Sequence, residues 1–110
     1  MEKVYEKLVR DGIPGIIRAR GDEAVCRTLS GAEYRAALEE KLLEECREAL
    51  AAEGPERIGE LGDVLEVIRA LAVLEGAGLE AVIVAAEEKR RGRGGFEERI
   101  FLEKVVSRGK

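Results

Sequence analysis

The chain has 110 residues, of which 38% are charged, and its formal net charge is −4. This length fits a single domain, residues 1–110, with one modest core. The negative balance argues against a nonspecific binder of polymeric nucleic acid, and no apolar run approaches the roughly 20 residues of a membrane span. The N-terminus lacks an apolar signal-peptide core, so we expect a cytoplasmic protein without a membrane partner.

The N-terminal third predicts a short helix and a short strand. Residues 1–10 show neither a helical nor a strand period, so an extended start is expected. Asp11 stands where it can cap a short helix. Residues 24–29 alternate between apolar and polar side chains as a strand does, and the tail over 99–106 is a candidate partner in a small β-ribbon.

Two long helices follow in the centre of the chain. Ser30 begins a capping-box signature, which predicts a helix over 31–53. Gly54 and the proline after it are expected to end this helix, and a second long helix is predicted over 56–76. Both are amphipathic segments joined by a short connection, so they should lie antiparallel.

A third helix is predicted over 79–91, and a glycine-rich loop follows over 92–95. The predicted fold class is therefore all-α: a helical bundle around two long antiparallel helices, with any β structure confined to the flanking ribbon. Apolar residues lie on two opposite strips of the first long helix and cover more than half of the second. One short chain can hardly cover both, so we expect a homodimer or a higher homo-oligomer.

Two pairs of acids stand at equal distances from the helix connection. Glu48 and Glu60 are each six residues from Gly54, and Glu45 and Asp63 are each nine residues from it. In antiparallel helices, equal counts mean equal height above the turn, at about 1.5 Å per residue. Within each helix, Glu45 and Glu48, and likewise Glu60 and Asp63, are spaced i, i+3 and so share one helical surface. The four carboxylates are therefore expected to converge.

Converging carboxylates need positive charge, because burying an unpaired carboxylate is costly. Lys41 is the only base on the same face, so we predict a bound cation. The chain has no His and only two Cys, which excludes the usual zinc and di-iron ligand sets. Ligation by oxygen alone suits Mg²⁺, with Mn²⁺ as a substitute. The alternative is that these acids are solvated on a charge-rich surface.

Basic residues near the C-terminus are candidates for phosphate contacts, because Mg²⁺ commonly meets its substrate through phosphate oxygens. The candidates are Lys89, Arg90, Arg91 and Arg93. Basic residues in the last turn of a helix also favour the helix dipole without any ligand, which is the competing interpretation. Lys7 and Arg10 form a second basic group, for which a surface ion pair with Asp11 is the alternative.

Three segments carry a family resemblance. They are KLVRDGIP at 7–14, KLLEE at 41–45 with the acid pairs that follow, and KRRGRGGFEERI at 89–100. Together they resemble the all-α nucleoside triphosphate pyrophosphohydrolases, the MazG-like and phosphoribosyl-ATP pyrophosphohydrolase-like superfamily, in its small single-domain, house-cleaning branch. The resemblance spans nearly the whole chain.

The resemblance implies Mg²⁺-dependent hydrolysis of a nucleoside triphosphate to the monophosphate and pyrophosphate. The implied metal ligands are Glu45, Glu48, Glu60 and Asp63. The implied catalytic carboxylates are Glu44, which is free for a supporting or base role, and Glu45. The implied phosphate-binding residues are Lys41, Lys89, Arg91 and Arg93, of which Lys41 could instead simply balance the acids.

Two other functions are weighed against this one. The first is a phosphoribosyl-ATP pyrophosphohydrolase, which uses the same site logic, although the extra N-terminal segment argues against it. The second is a non-catalytic helical dimer that binds metal or a partner through its acids. The intact acid pairs argue against that alternative.

Overall fold

The computed structural model describes residues 1–109, and over that range it is all-helical. The helices are α1 (Ile13–Ala19), α2 (Gly31–Ala51), α3 (Gly54–Leu74) and α4 (Leu79–Arg93). The prediction of an all-α fold class is confirmed. Within residues 1–109, none of the helices is both long and apolar enough to cross a membrane.

The predicted β-ribbon is wrong, because no strand occurs in the part of the chain that the structure describes. Val25 in the first candidate segment is 87% exposed, and Phe101 in the second is 86% exposed. An isolated pair of strands is only marginally stable in water unless a third element covers one of its faces. Here no helix covers either segment, so the alternating pattern remains coil.

Helix α2 begins at the capping box that the sequence predicts. The Glu33 amide donates to the Ser30 hydroxyl at 3.3 Å, and the Ser30 amide donates to the Glu33 carboxylate at 3.1 Å. Arg27 approaches the same carboxylate at 3.4 Å. The hydrogen bond from the Ser30 backbone, followed by the contact with Arg27, lowers the pKa of Glu33. The box satisfies amides at the start of α2 that have no partner within the helix.

Two other helix ends differ from the prediction. The N-cap of α1 is Gly12 and not Asp11, and it makes no side-chain capping bond. Helix α2 ends at Ala51, before the glycine and proline expected to stop it. Gly54, at φ 58°, instead begins α3, with Pro55 in its first turn. Proline is tolerated there because the first amides of a helix need no intrahelical acceptor.

Helices α2 and α3 pack along each other in antiparallel register. Near the start of α2, Arg35 pairs with Glu75 at 2.9 Å. At the opposite end, the Arg57 guanidinium donates to the carbonyls of Ala49 at 3.0 Å and Ala52 at 2.8 Å. These carbonyls belong to the last turn of α2 and its C-cap, where intrahelical donors are missing. Contacts at both ends thus set which residues of the two helices face each other.

The apolar core of this single chain is small. The buried apolar residues are Leu38, Ala49, Val67, Ala72 and Leu79, and among residues 1–109 no large side chain is fully buried. The radius of gyration is 19.4 Å and the extents are 70 × 33 × 23 Å, whereas a compact chain of this length has a radius of about 13 Å. Helix α4 packs only against α3. The chain is therefore an elongated helix pair with extended ends.

The capping box yields a testable prediction about stability. Replacing Ser30→Ala should lower the free energy of unfolding by about 1 kcal/mol, because the Glu33 amide loses its acceptor. The folded-state pKa of Glu33 is lowered, so its contribution is complete above the pKa of the unfolded state and disappears as the pH falls through the folded value. Ser30→Ala keeps the backbone amide that donates to the Glu33 carboxylate, so both proteins should lose this contribution alike at acid pH and the deficit of the variant should change little.

Thermal unfolding followed by far-UV circular dichroism measures this difference. Ser107→Ala, in the exposed C-terminal coil, is the matched control and should unfold like the wild type. Identical unfolding curves for Ser30→Ala and wild type at neutral pH would contradict the proposed contribution of the box.

Candidate metal centre

Three carboxylates converge between α2 and α3. One oxygen from each of Glu45, Glu60 and Asp63 lies within 4.8 Å of the other two. Glu45 stands on α2, while Glu60 and Asp63 stand one turn apart on α3. The antiparallel register brings them to the same level, and the i, i+3 spacing puts both α3 acids on one surface. We call these three residues the acidic trio.

The trio contains buried oxygens that have no hydrogen-bond donor. Glu45 is 7% exposed and is the buried charged residue of the described chain. Its Oε2 and the Oε2 of Glu60 are both buried without a partner. A buried acceptor left in this state costs about 1–3 kcal/mol. Two oxygens of the trio, one on Glu45 and one on Glu60, are therefore left uncompensated by the described residues.

The charge deficit acts directly on Glu45. Burial raises the pKa of Glu45, and the neighbouring charges of Glu48 and Asp63 act in the same direction. The Lys41 ammonium, 3.3 Å away, opposes them but does not outweigh them. In the absence of another cation, Glu45 therefore takes up a proton more readily than an ordinary glutamate does.

Lys41 links the trio to Glu44. Its Nζ lies 3.1 Å from Glu44 and 3.3 Å from Glu45. Burial disfavours the ammonium, but the hydrogen bonds to these two carboxylates together raise the pKa of Lys41. The hydrogen bond from Lys41 lowers the pKa of Glu44. Lys41 is thus held charged beside the site, and Glu44 is held ionised as its partner.

The structure leaves Glu48 outside the trio. Glu48 is exposed on α2, and it influences the site through its charge, which raises the pKa of Glu45. It lies one turn from Glu45 on the side of the helix connection, so it borders the site without joining the close group.

The basic residues of α4 also lie apart from the trio. Lys89, Arg91 and Arg93 are exposed near the end of α4, and no ion pair within residues 1–109 connects them to the acids. Helix α4 follows the C-terminal end of α3, whereas the acids stand in the N-terminal half of α3. Their position in the final turns is the one that the helix dipole favours.

The structure adds a cation whose partner the sequence analysis did not identify. Arg10 Nη2 lies 2.6 Å from Asp63 Oδ1, and Lys7 Nζ lies 3.8 Å from Glu44 Oε2. The expected alternative for Arg10 was a local pair with Asp11, but its observed partner is 53 residues away. The surplus of acids over bases at the predicted site was the available signal that a distant cation was required.

A polar cavity of about 280 Å³ lies beside the trio. The N-terminal residues form one wall and α2 forms the other. The charged lining residues are Glu6, Lys7, Glu40, Lys41, Glu44 and Arg47. Both signs of charge are present, so the cavity gives access to Lys41 and Glu44 without selecting an anion or a cation by itself.

Comparisons with known proteins leave the function open. No protein-family model matches the chain, and no solved structure matches it. A curated protein of Mycolicibacterium smegmatis (strain ATCC 700084 / mc(2)155), described as an uncharacterized protein, is 57% identical over 47 residues. The match covers 43% of this chain and 48% of that protein. The chain thus spans about half the length of the curated relative it matches.

The buried charge of Glu45 yields a prediction for the metal-free protein. Because the folded-state pKa of Glu45 is raised, the metal-free fold loses stability as the pH rises from the unfolded-state pKa through the folded value. Glu45→Gln removes this charge, so the variant should melt at a higher temperature than the wild type in EDTA at neutral pH. The gain should vanish at acid pH, where Glu45 is protonated.

Addition of Mg²⁺ should reverse the order of the two proteins. Mg²⁺ at a concentration 100 times its dissociation constant stabilises the fold by about 2.7 kcal/mol. Glu45→Gln should lose most of this gain. Glu39→Gln, an exposed acid on α2, is the control and should respond to Mg²⁺ like the wild type. Equal Mg²⁺ stabilisation of the wild type and Glu45→Gln would exclude Glu45 as a ligand.

Proposed function

We propose that this protein is a Mg²⁺-dependent nucleoside triphosphate pyrophosphohydrolase of the MazG-like superfamily, acting in the cytoplasm where its substrates are found. The observation that carries the proposal is the acidic trio with its two unpartnered buried oxygens. Acids that serve only solubility are solvated, and acids that serve only stability are paired. The two buried oxygens of the trio are neither solvated nor paired, which is the expected condition of a metal site without its ion.

The donor set fits a small divalent cation with oxygen ligands. Oxygens on opposite sides of Mg²⁺ are about 4.2 Å apart, because each lies about 2.1 Å from the ion. The carboxylate oxygens of the trio lie within 4.8 Å of one another, near this largest spacing, and adjacent ligands would approach to about 3 Å on an octahedral ion. Mn²⁺ is slightly larger and accepts the same ligands, so it is the proposed substitute.

The proposed roles divide the carboxylates by their surroundings. Glu45, Glu60 and Asp63 hold the metal, and the exposed Glu48 is the proposed fourth ligand because it lies one turn away from Glu45. When bound, the metal supplies charge neutralisation for the polyphosphate and a more acidic water. Glu45 and Glu44 are the proposed catalytic carboxylates.

The lowered pKa of Glu44 makes it a weak base. It is therefore better suited to orienting Lys41 than to removing a proton itself. Lys41, held charged between two carboxylates, is the proposed phosphate contact nearest to the trio. Lys89, Arg91 and Arg93 are proposed as additional phosphate contacts. Their support is their exposure and shared charge on α4.

The reaction products test this proposal. Incubation of nucleoside triphosphates with the protein and Mg²⁺ should release the monophosphate and pyrophosphate in equal amounts, because water attacks at the α phosphorus. EDTA should stop the reaction, and Mg²⁺ or Mn²⁺ should restore it. Glu60→Gln and Asp63→Asn should each reduce turnover at least about a hundredfold if they remove metal ligands.

Chromatography of the products distinguishes the alternatives. Glu88→Gln, an exposed acid on α4, should retain wild-type turnover. Release of orthophosphate with a nucleoside diphosphate would contradict the pyrophosphohydrolase assignment. Strong preference for phosphoribosyl-ATP would favour the alternative of a phosphoribosyl-ATP pyrophosphohydrolase. Metal binding without hydrolysis of any nucleotide would favour a non-catalytic binding protein.

We also propose that a second copy of the chain completes a helical bundle around α2 and α3. The accessible surface of the single chain is 9838 Å², whereas a compact protein of this mass exposes about 6,000 Å². The excess is larger than the roughly 1,600 Å² that a standard interface buries. The chain therefore exposes enough surface for an extensive interface between two copies.

Both long helices expose apolar side chains. On α3, Ile58, Leu61 and Leu65 are 70%, 49% and 44% exposed at spacing typical of one helical stripe. On α2, Leu43 and Leu50 are exposed two turns apart. An apolar cavity of about 370 Å³ lies between Leu50 and Leu61. The apolar residues around this cavity and along the α3 stripe are the proposed interface.

Light scattering coupled to size-exclusion chromatography tests the interface. The wild type should have at least twice the 12.1 kDa mass of one chain. Leu61→Glu should shift the population towards monomer or unfold it, because a buried unpaired charge opposes the contact. Leu102→Glu, an equally drastic change in the exposed C-terminal coil, should keep the wild-type mass. A monomeric wild type at micromolar concentration would contradict the proposal.

A further inference from the structure

The N-terminal segment, residues 1–12, contains no helix but makes contacts with both acidic helices. Lys7 pairs with Glu44 on α2, and Arg10 pairs with Asp63 on α3. These two contacts come from residues only three positions apart. The segment therefore bridges the helix pair at the level of the acidic trio.

Arg10 contacts one of the three carboxylates that would bind a metal ion. Its guanidinium lies 2.6 Å from Asp63 Oδ1, so this oxygen already has a cationic partner. The unpartnered oxygens belong to the other two members, Glu45 and Glu60. The Arg10 guanidinium thus neutralises Asp63, while one buried oxygen on each of Glu45 and Glu60 remains without a donor.

The contact between Arg10 and Asp63 is suited to exchange. The Arg10 side chain is 56% exposed and that of Asp63 is 44% exposed. Ion pairs at such exposure contribute little to stability, because water screens them. A divalent ion would carry twice the charge of Arg10 and would contact all three carboxylates. It would therefore displace the guanidinium from Asp63 at small cost.

We propose that Arg10 is the counter-ion of the metal-free trio, and that a divalent cation releases it from Asp63 to bind a phosphate group of the substrate. This inference rests on the proposed function. Lys7, three residues before Arg10, still contacts Glu44 at 3.8 Å. The released guanidinium therefore stays within reach of the trio. Its planar fork of donors matches two phosphate oxygens at once, and phosphate is the group that approaches a bound Mg²⁺.

The proposal requires opposite effects of one substitution on two ligands. In calorimetric titrations with MgCl₂, Arg10→Ala should bind Mg²⁺ more tightly than the wild type, by up to about fivefold, because the competing cation is gone. In titrations of the Mg²⁺-saturated protein with inorganic tripolyphosphate, the same variant should bind about tenfold more weakly, because a charged donor is lost. Arg10→Lys should restore part of the tripolyphosphate affinity.

Arg20→Ala is the matched control, because Arg20 makes a comparable exposed pair with Asp22 at 3.0 Å, a contact that involves none of the acids of the trio. It should match the wild type in both titrations. Circular dichroism should show the same helix content for all variants, since Arg10 is half exposed.

Three outcomes would overturn the inference, and they separate it from the proposed function. If Arg10→Ala binds Mg²⁺ with unchanged or lower affinity, Arg10 does not compete with the metal. If its tripolyphosphate affinity is unchanged, Arg10 does not bind phosphate. In both cases the proposed hydrolysis can still stand, with pyrophosphate as its product. A wild type that binds no Mg²⁺ would overturn the metal site and the exchange together.

Discussion

The structure depends on the contact between α2 and α3, which buries Glu45 against two further acids. Carboxylates at this distance repel each other, and burial removes the water that would screen them. The surrounding charges follow from this constraint. Lys41 approaches Glu45 from its own helix, and Arg10 approaches Asp63 from the N-terminal segment. The two oxygens that remain without partners mark the part of the charge that the chain does not compensate by itself.

The single chain has two deficits, and a different partner would meet each of them. Its core is small and its long helices expose apolar side chains, so it buries too little surface for a compact domain. Two buried oxygens of its trio have no hydrogen-bond donor. A second copy would cover the first deficit and a divalent cation the second, and neither correction requires the backbone of the helix pair to change.

The N-terminal segment connects these features, although it has no regular structure. Its bases reach α2 and α3 through exposed ion pairs, which are weak enough to exchange. The bases of α4 differ, since they lie near the end of their own helix and none of them contacts the acidic trio. The helix dipole favours the α4 bases in their final turns, whereas the position of Arg10 is set by an acid 53 residues away.

The sequence by itself determined the features that depend on neighbours within one or two helical turns. It identified the all-α class, the capping box of Ser30, and the two α3 acids that share one surface, because each depends on spacing along the chain. Tertiary structure alone decided the features that depend on distant contacts. It left 24–29 without a strand partner and gave Arg10 to Asp63, because the contacts between elements, unlike the spacing within a helix, decide which distant residues meet.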